Sequence, residues 1–418
     1  MELILRLKKL RLAAKILRLS SVETRNKVLI QAAQLLVDNE KEILKANAQD
    51  LNSLPATTTP AFRDRLTLTS DRINHMAVSL RQVAVLPDPL ASTANEQTLR
   101  NGLLLKKVRS PLGVIFMIFE SRPNVAVEAF SMGFKSGNTM ILRGGKESLR
   151  TTKVLYKIIH QAIESADLPA SVLWGITDSD RALVSNLLKQ KEWIDVVVPR
   201  GGEGLIQFVV KNSHIPIIKN DRGLCHVYVH NDANLVTSAE VLLNAKTHRP
   251  GVCNSMETML IHRDVAAELI PLVYNKMLDF NVKWYGCSET LKILKKTGAK
   301  NIHAALKKSW DTEYLDQIVN CKVVSNIEEA IAHIEQHSSR HSESIMTTNH
   351  QTARRFQAEI DSAVVYWNAS TRFTDGFEFG LGGELGISTQ KLHVRGPVGL
   401  AALTNERWVV DGDGQIRS

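Results

Sequence analysis

Leucines interleave with lysines and arginines along Met1–Leu19, where Glu2 is the only acid. That pattern predicts a surface amphipathic helix; a targeting presequence and a nucleic-acid-binding arm are the other readings it admits. Ser20-Ser-Val-Glu23 then reads as a capping box ahead of a long helical pattern to about Asn47. A Thr/Pro loop follows at Leu54–Pro60, then a helix from about Ser70 to Val85 that Pro87-Asp-Pro89 ends. Glu96–Arg100 and Leu103–Val108 flank Asn101-Gly102, which predicts a hairpin with a two-residue turn. From there strands and helices alternate. Strands are predicted at Val114–Phe119, Thr139–Leu142, Val172–Trp174, Ile194–Val198, Ile217–Lys219 and Cys225–Val229. Helices are predicted at Val125–Phe134, Leu149–Ala166, Ser179–Lys189 and Gly204–Lys211. Such alternation implies parallel strands with crossover helices, an α/β fold. A second α/β run covers roughly Leu235 to Ile360 and holds a strand at Glu257–His262. Beyond Ala363–Asn368 the chain is rich in Gly and aromatics and ends in a polar tail. No internal repeat or low-complexity segment breaks this order.

Composition narrows the class. The 418 residues suffice for two or three domains, and 44% apolar with 23% charged residues describes an ordinary globular chain. No apolar run approaches the roughly 18 residues a membrane span needs. The four cysteines show neither CxxC nor Cys/His ligand spacing, which argues against a zinc site or disulfide framework and for a reducing, cytoplasmic setting. Formal charge is +9, much of it near the start. With no helix-turn-helix, zinc finger or RNP-like run, the remaining basicity suits anionic small molecules better than nucleic acid.

Candidate chemistry centres on Asn244–Thr258. Its Pro250-Gly251 pair breaks one segment just ahead of the strand Glu257–His262, so Cys253 falls on a tight connection. A lone cysteine is usually a buried structural residue. The Gly-Val-Cys-Asn context favours a nucleophile, because a thiolate needs nearby donors and an approach path. Two strand-to-helix loops offer anion sites. Arg200-Gly201-Gly202 places N–H groups at a helix N-terminus, and Leu142-Arg143-Gly-Gly-Lys146 adds two cations. Ordinary turns are the alternative for each, and the usual GxGxxG fingerprint is missing. Asn124, opening a helix after the strand Val114–Phe119, reads either as a helix cap or as a fixed amide donor for an oxyanion.

These motifs, taken in order, resemble the gamma-glutamyl phosphate reductase family of the aldehyde dehydrogenase superfamily. Pro111-Leu-Gly-Val114, Glu120-Ser-Arg-Pro-Asn124, Lys135-Ser-Gly-Asn138, Ile141-Leu-Arg-Gly-Gly145 and Pro199-Arg-Gly-Gly202 carry the first half. Asp221-Arg-Gly223, Asn244-Ala-Lys246, Arg249–Asn254, Ser370–Gly380 and Ser388–His393 carry the second. The resemblance spans about residues 20 to 405. It implies an aldehyde dehydrogenase-like α/β fold with a cofactor domain at 1–95 and 111–225 and a catalytic domain at 226–362. An oligomerisation hairpin at 96–110 would join a C-terminal, substrate-loop region at 363–418.

The resemblance also implies the reaction: NADPH-dependent reduction of L-glutamyl 5-phosphate to L-glutamate 5-semialdehyde and phosphate, in L-proline biosynthesis. Cys253 would carry the glutamyl group as a thioester, with Asn124 and the Cys253 N–H holding the oxyanion. Arg143, Lys146, Arg200, Gly201, Gly202 and Glu313 would contact the cofactor; Arg122, Arg249, Ser370, Thr371 and Arg372 would contact substrate or the leaving phosphate; no metal is expected. Arg143 and Lys146 stand where NAD-preferring relatives carry Lys and Glu, which favours a 2′-phosphate. Asn220 stands where hydrolytic relatives carry a water-activating Glu, and an amide cannot act as that base, although Asp221 is adjacent. A homo-oligomer is expected, and association with glutamate 5-kinase is the partner the pathway suggests. Two rivals remain: an NAD(P)-dependent aldehyde-oxidising dehydrogenase, which needs no phosphate, and a non-enzymatic basic binding protein, which needs no Cys253.

Overall fold

The computed structural model describes residues 2–417 apart from 92, 121, 179, 220 and 221; the side chains of 61 and 93–95 are also left undescribed. Two compact units form: Met1–Lys219 with Gly380–Gly386 and Pro397–Ser418, and Asn220–Phe379 with Ile387–Gly396.

In the first unit, four parallel strands run in the order Leu173–Ile176, Thr139–Arg143, Val114–Phe119, Val196–Arg200. All six side chains of Val114–Phe119 are buried, as a strand covered on both faces requires. The amphipathic helix Glu2–Arg18 does more than line the surface. Its Leu7 and Leu10 enter one apolar cluster with Val114, Phe116, Ile118, Ile141 and Val197. The predicted helix to Asn47 is two helices, Val22–Asp38 and Glu40–Asn52. Asn39 breaks it: its backbone and side-chain N–H groups both donate to the Leu35 carbonyl, closing the first helix before the second begins. Ser21, not Ser20, caps the start, its hydroxyl accepting the Thr24 N–H. A short helix, Pro60–Leu66, follows the Thr/Pro loop with Pro60 in its first turn, and Ser70–Val85 is helical as expected. The segment Ile217–Lys219 forms only a single bridge, Val197 to Ile217.

The hairpin forms, but its turn is wider than Asn101-Gly102 suggested. Leu99 N donates to Leu103 O, Gly102 N donates to Leu99 O, and Gly102 takes φ 84°. That is a three-residue loop ending on a left-handed glycine. The polar tail is also not loose: Thr404–Asp411 pairs antiparallel with Leu104–Pro111 along its whole length, making a three-stranded sheet with Thr93–Thr98.

The second unit is built on seven parallel strands. Their order is Ile302–Ala304, Lys283–Gly286, Ile318–Val324, Met256–His262, Cys225–Val229, Ser342–Met346, Val364–Trp367. Alternation along the central strands supplies two cores. Val227, Val229, Met259 and Ile261 pack on one face with Leu242, Leu269 and Trp284. Tyr228 and Leu260 pack on the other with Ile331, Ile345 and Phe356.

Candidate active site

Cys253 lies on the connection between the helix Leu235–Thr247 and the strand Met256–His262, as the Pro-Gly break requires, and is partly exposed. Its loop is held from three sides. The Asn254 side-chain amide donates to the Thr374 carbonyl at 2.8 Å and the Arg372 carbonyl at 3.4 Å, and Thr371 Oγ1 donates back to Asn254 O at 2.8 Å. Buried Cys225 donates its thiol to the Cys253 carbonyl at 3.2 Å. Gly223 lies so close that a Cβ on it would run into the Cys253 backbone.

Those contacts bring Ser370, Thr371 and Arg372 against the cysteine loop. Ser370 Oγ accepts the Arg372 N–H and caps the short turn Thr371–Phe373. Arg372 is half-buried; burial, and next the neighbouring Arg249, lower its pKa, while Asp375, and after it Cys253 and Cys225, pull the other way. Its Nε is buried without a protein partner. A guanidinium acting on the thiol, with a second beside it, suits an anionic group near the sulfur. Glu313 is placed by a hydrogen bond from Gly223 N to its Oε1, 2.8 Å. Asn220 and Asp221, the two positions that bear on water activation, lie outside the described residues.

The other predicted residues belong to the first unit. Its sheet order reverses between Val114–Phe119 and Val196–Arg200, and the carboxyl ends of such a pair open a crevice. Asn124 is the first residue of the helix Asn124–Lys135, and its amide donates to Glu128 Oε1 at 2.7 Å. Arg200 reaches the other oxygen of Glu128 at 3.4 Å, so one carboxylate ties the two together. Arg122 precedes that helix on the same connection. Gly201 and Gly202 stand at the start of the helix Glu203–Asn212, where the Gly202 N–H donates to Glu120 Oε2 at 2.8 Å. Arg143 ends its strand with Nε buried and unpartnered, and burial, then nearby Arg181, lowers its pKa. Lys146 is exposed, at the start of the turn Lys146–Ser148. A Cβ on Gly144 would come within 3.1 Å of the Phe119 ring, so the backbone passes close over it.

Residues 7–287 match the model of the aldehyde dehydrogenase family. Over 407 residues the chain is 46% identical to a gamma-glutamyl phosphate reductase of Koribacter versatilis, covering 97% of this chain and 98% of that one. The chain belongs to the gamma-glutamyl phosphate reductases of the aldehyde dehydrogenase family. A gamma-glutamyl phosphate reductase of Limosilactobacillus reuteri is 45% identical over 97% of the chain and 96% of its own. The crystal structure of the Thermotoga maritima gamma-glutamyl phosphate reductase superposes with a TM-score of 0.95 at 40% identity, covering all of both chains. The aldehyde dehydrogenase-like α/β fold expected from the motifs is therefore the fold of this reductase-family chain.

Sequence reading did not single out four residues that shape these surroundings. Asn254 was part of a motif without a role, and its amide turns out to tie the cysteine loop to residues 370–374. Glu120 and Glu128 tie down the Gly202 turn and the Asn124 side chain of the first unit. Glu257 is buried in a strand of apolar neighbours. An acid inside such a strand is the one signal that could have flagged it.

Proposed function

We propose that this chain reduces L-glutamyl 5-phosphate, the substrate class its relatives are named for, to L-glutamate 5-semialdehyde with NADPH, releasing phosphate, as a step of proline biosynthesis. The observation that supports this best is the Cys253 loop, tied through Asn254 to the turn that carries Arg372, with Arg249 beside it. In this reading Cys253 attacks the acyl carbon as thiolate, the C–S bond forms, and the bond to the phosphate oxygen breaks. Arg249 and Arg372 take up the charge of the departing phosphate, and Arg122, Ser370 and Thr371 help to hold the substrate. The Cys253 N–H and the Asn124 amide are assigned to the oxyanion, Asn124 after exchanging its bond to Glu128. Removing one such donor costs about 3 kcal/mol of transition-state stabilisation.

Residues present fit a 2′-phosphorylated dinucleotide: Arg143 keeps a buried Nε without a partner, and Lys146 adds an exposed cation on the same loop. Arg200, Gly201 and Gly202 are assigned to its phosphates, displacing Glu120, and Glu313 to the nicotinamide ribose. NADPH, when bound, supplies the hydride that converts the Cys253 thioester to the aldehyde level. The C–S bond then breaks, the aldehyde leaves, and the thiolate is restored.

The deciding experiment runs the reaction backward. Glutamate semialdehyde and NADP⁺ should yield NADPH only when phosphate is supplied, and Cys253→Ala should abolish it. Oxidation that proceeds equally without phosphate would point instead to an aldehyde-oxidising dehydrogenase.

A further inference from the structure

A buried ion pair brackets the cysteine loop. Lys246, in the last turn of the helix Leu235–Thr247, and Glu257, second residue of the strand Met256–His262, meet at 3.0 Å with side chains 0% and 1% exposed. Cys253 lies between them in sequence, so the pair ties the end of the helix to the start of the strand. The same carboxylate does a second thing: Glu257 Oε1 accepts the Leu315 N–H at 3.2 Å. Leu315 has φ 52°, a left-handed conformation that a leucine keeps only when its surroundings impose it. Two residues earlier, Glu313 accepts the Gly223 N–H, and Gly223 abuts the Cys253 backbone. One carboxylate thus reaches the loop from two directions.

Stability alone does not account for such a pair. Two charges out of water lose solvation that their attraction barely restores, and well-packed apolar residues often do as well or better. Burial pushes the Glu257 carboxyl up to about 7 and the Lys246 ammonium down, each opposed by its partner's charge. What apolar residues cannot supply is an acceptor for Leu315.

We propose that Glu257, with Lys246 as its counter-ion, is a positioning residue that fixes the Leu315 turn and the ends of the Cys253 loop, so that Glu313, Gly223 and Cys253 keep one arrangement. This rests on reading Cys253 as the nucleophile and Glu313 as a cofactor contact. Two full-length variants test it. Lys246→Met combined with Glu257→Leu, the double variant, removes both charges and the acceptor at similar volume; Lys246→Met combined with Glu257→Gln, the Gln variant, also removes both charges but keeps an oxygen for the Leu315 N–H. Both are compared with wild type for thermal unfolding, NADPH KM, kcat and the rate of Cys253 alkylation by iodoacetamide.

The double variant should unfold cooperatively near the wild-type temperature. Its alkylation rate should change about tenfold, and its kcat/KM should fall by roughly 10–100-fold with the NADPH KM raised, as misplacement of reacting groups produces. The Gln variant should restore most of both. A folded double variant that matches wild type overturns the proposal. So does one that does not fold, which makes the pair a determinant of the fold, and so does a Gln variant as impaired as the double one. Should wild type show no NADPH-dependent turnover, the functional reading fails, while the alkylation rates still decide whether the loop is positioned by Glu257.

Discussion

Gly223 leaves no room for a side chain, because a Cβ there would sit on the Cys253 carbonyl group. Its φ is not in the left-handed region, so the constraint is close approach rather than backbone freedom. Gly223→Ala must push the cysteine loop away, and overpacking of this kind costs about 1–3 kcal/mol. Chemical denaturation should show that loss, and kcat should fall with it; an Ala variant with wild-type kcat would mean that the loop position is irrelevant. Lys146 tests cofactor choice at the same scale. It is exposed, so salt screens it, yet a charge-assisted bond to a 2′-phosphate is still worth enough to matter. Lys146→Glu should raise the NADPH KM about tenfold while leaving the NADH KM nearly unchanged, which is about 1.4 kcal/mol of discrimination. Equal effects on both cofactors would remove Lys146 from that role.

At the level of elements, legibility followed local signal. Val114–Phe119, Cys225–Val229 and Ser70–Val85 fall where the sequence put them, since each is an apolar run or helical pattern bounded by turn or capping residues. Thr404–Asp411 was read as tail because nearly all its side chains are exposed and it has no apolar alternation. Its strand state comes from hydrogen bonds to Leu104–Pro111, far away in sequence. The Asn101-Gly102 dipeptide shows the reverse case. A strong local preference for a two-residue turn yields to the register that pairs Thr98 with Leu104. Asn39 likewise ends a helix that apolar periodicity alone would carry onward. In the candidate site, Cys253, Arg249 and the 370–372 turn were legible as motifs, whereas Asn254, Glu257 and Lys246 acquire their roles only from what they face.

Over the whole molecule, buried histidines tie stability to pH. His341 is fully enclosed, and burial alone lowers its pKa to about 4; its Nδ1 meets Ser342 Oγ at 2.8 Å. His333, packed against Trp310, His226 and His337 with Lys322 nearby, is lowered further, mainly by burial. Both are neutral in the folded chain. Below the ordinary imidazole range the unfolded chain binds protons that the folded one refuses, so this stability is present above about pH 6.5 and is lost as pH falls. His341 by itself should cost about 2 kcal/mol between pH 6.5 and 5, and urea unfolding of wild type against His341→Gln should show the variant with the flatter slope. Parallel slopes would contradict it. Most of the strand–helix alternation from Val114 to Val229, the parallel class of the two sheets built by alternation and the loop bearing Cys253 were set by the sequence alone, because periodicity, caps and glycines act over a few neighbours. Only the tertiary structure decided that the tail completes a sheet, that Asn254 holds the 370–374 turn and that a buried Lys–Glu pair frames the cysteine. Each of these depends on partners distant in the chain, whose encounter is fixed by packing and by the need to satisfy buried polar groups, and no local pattern encodes it.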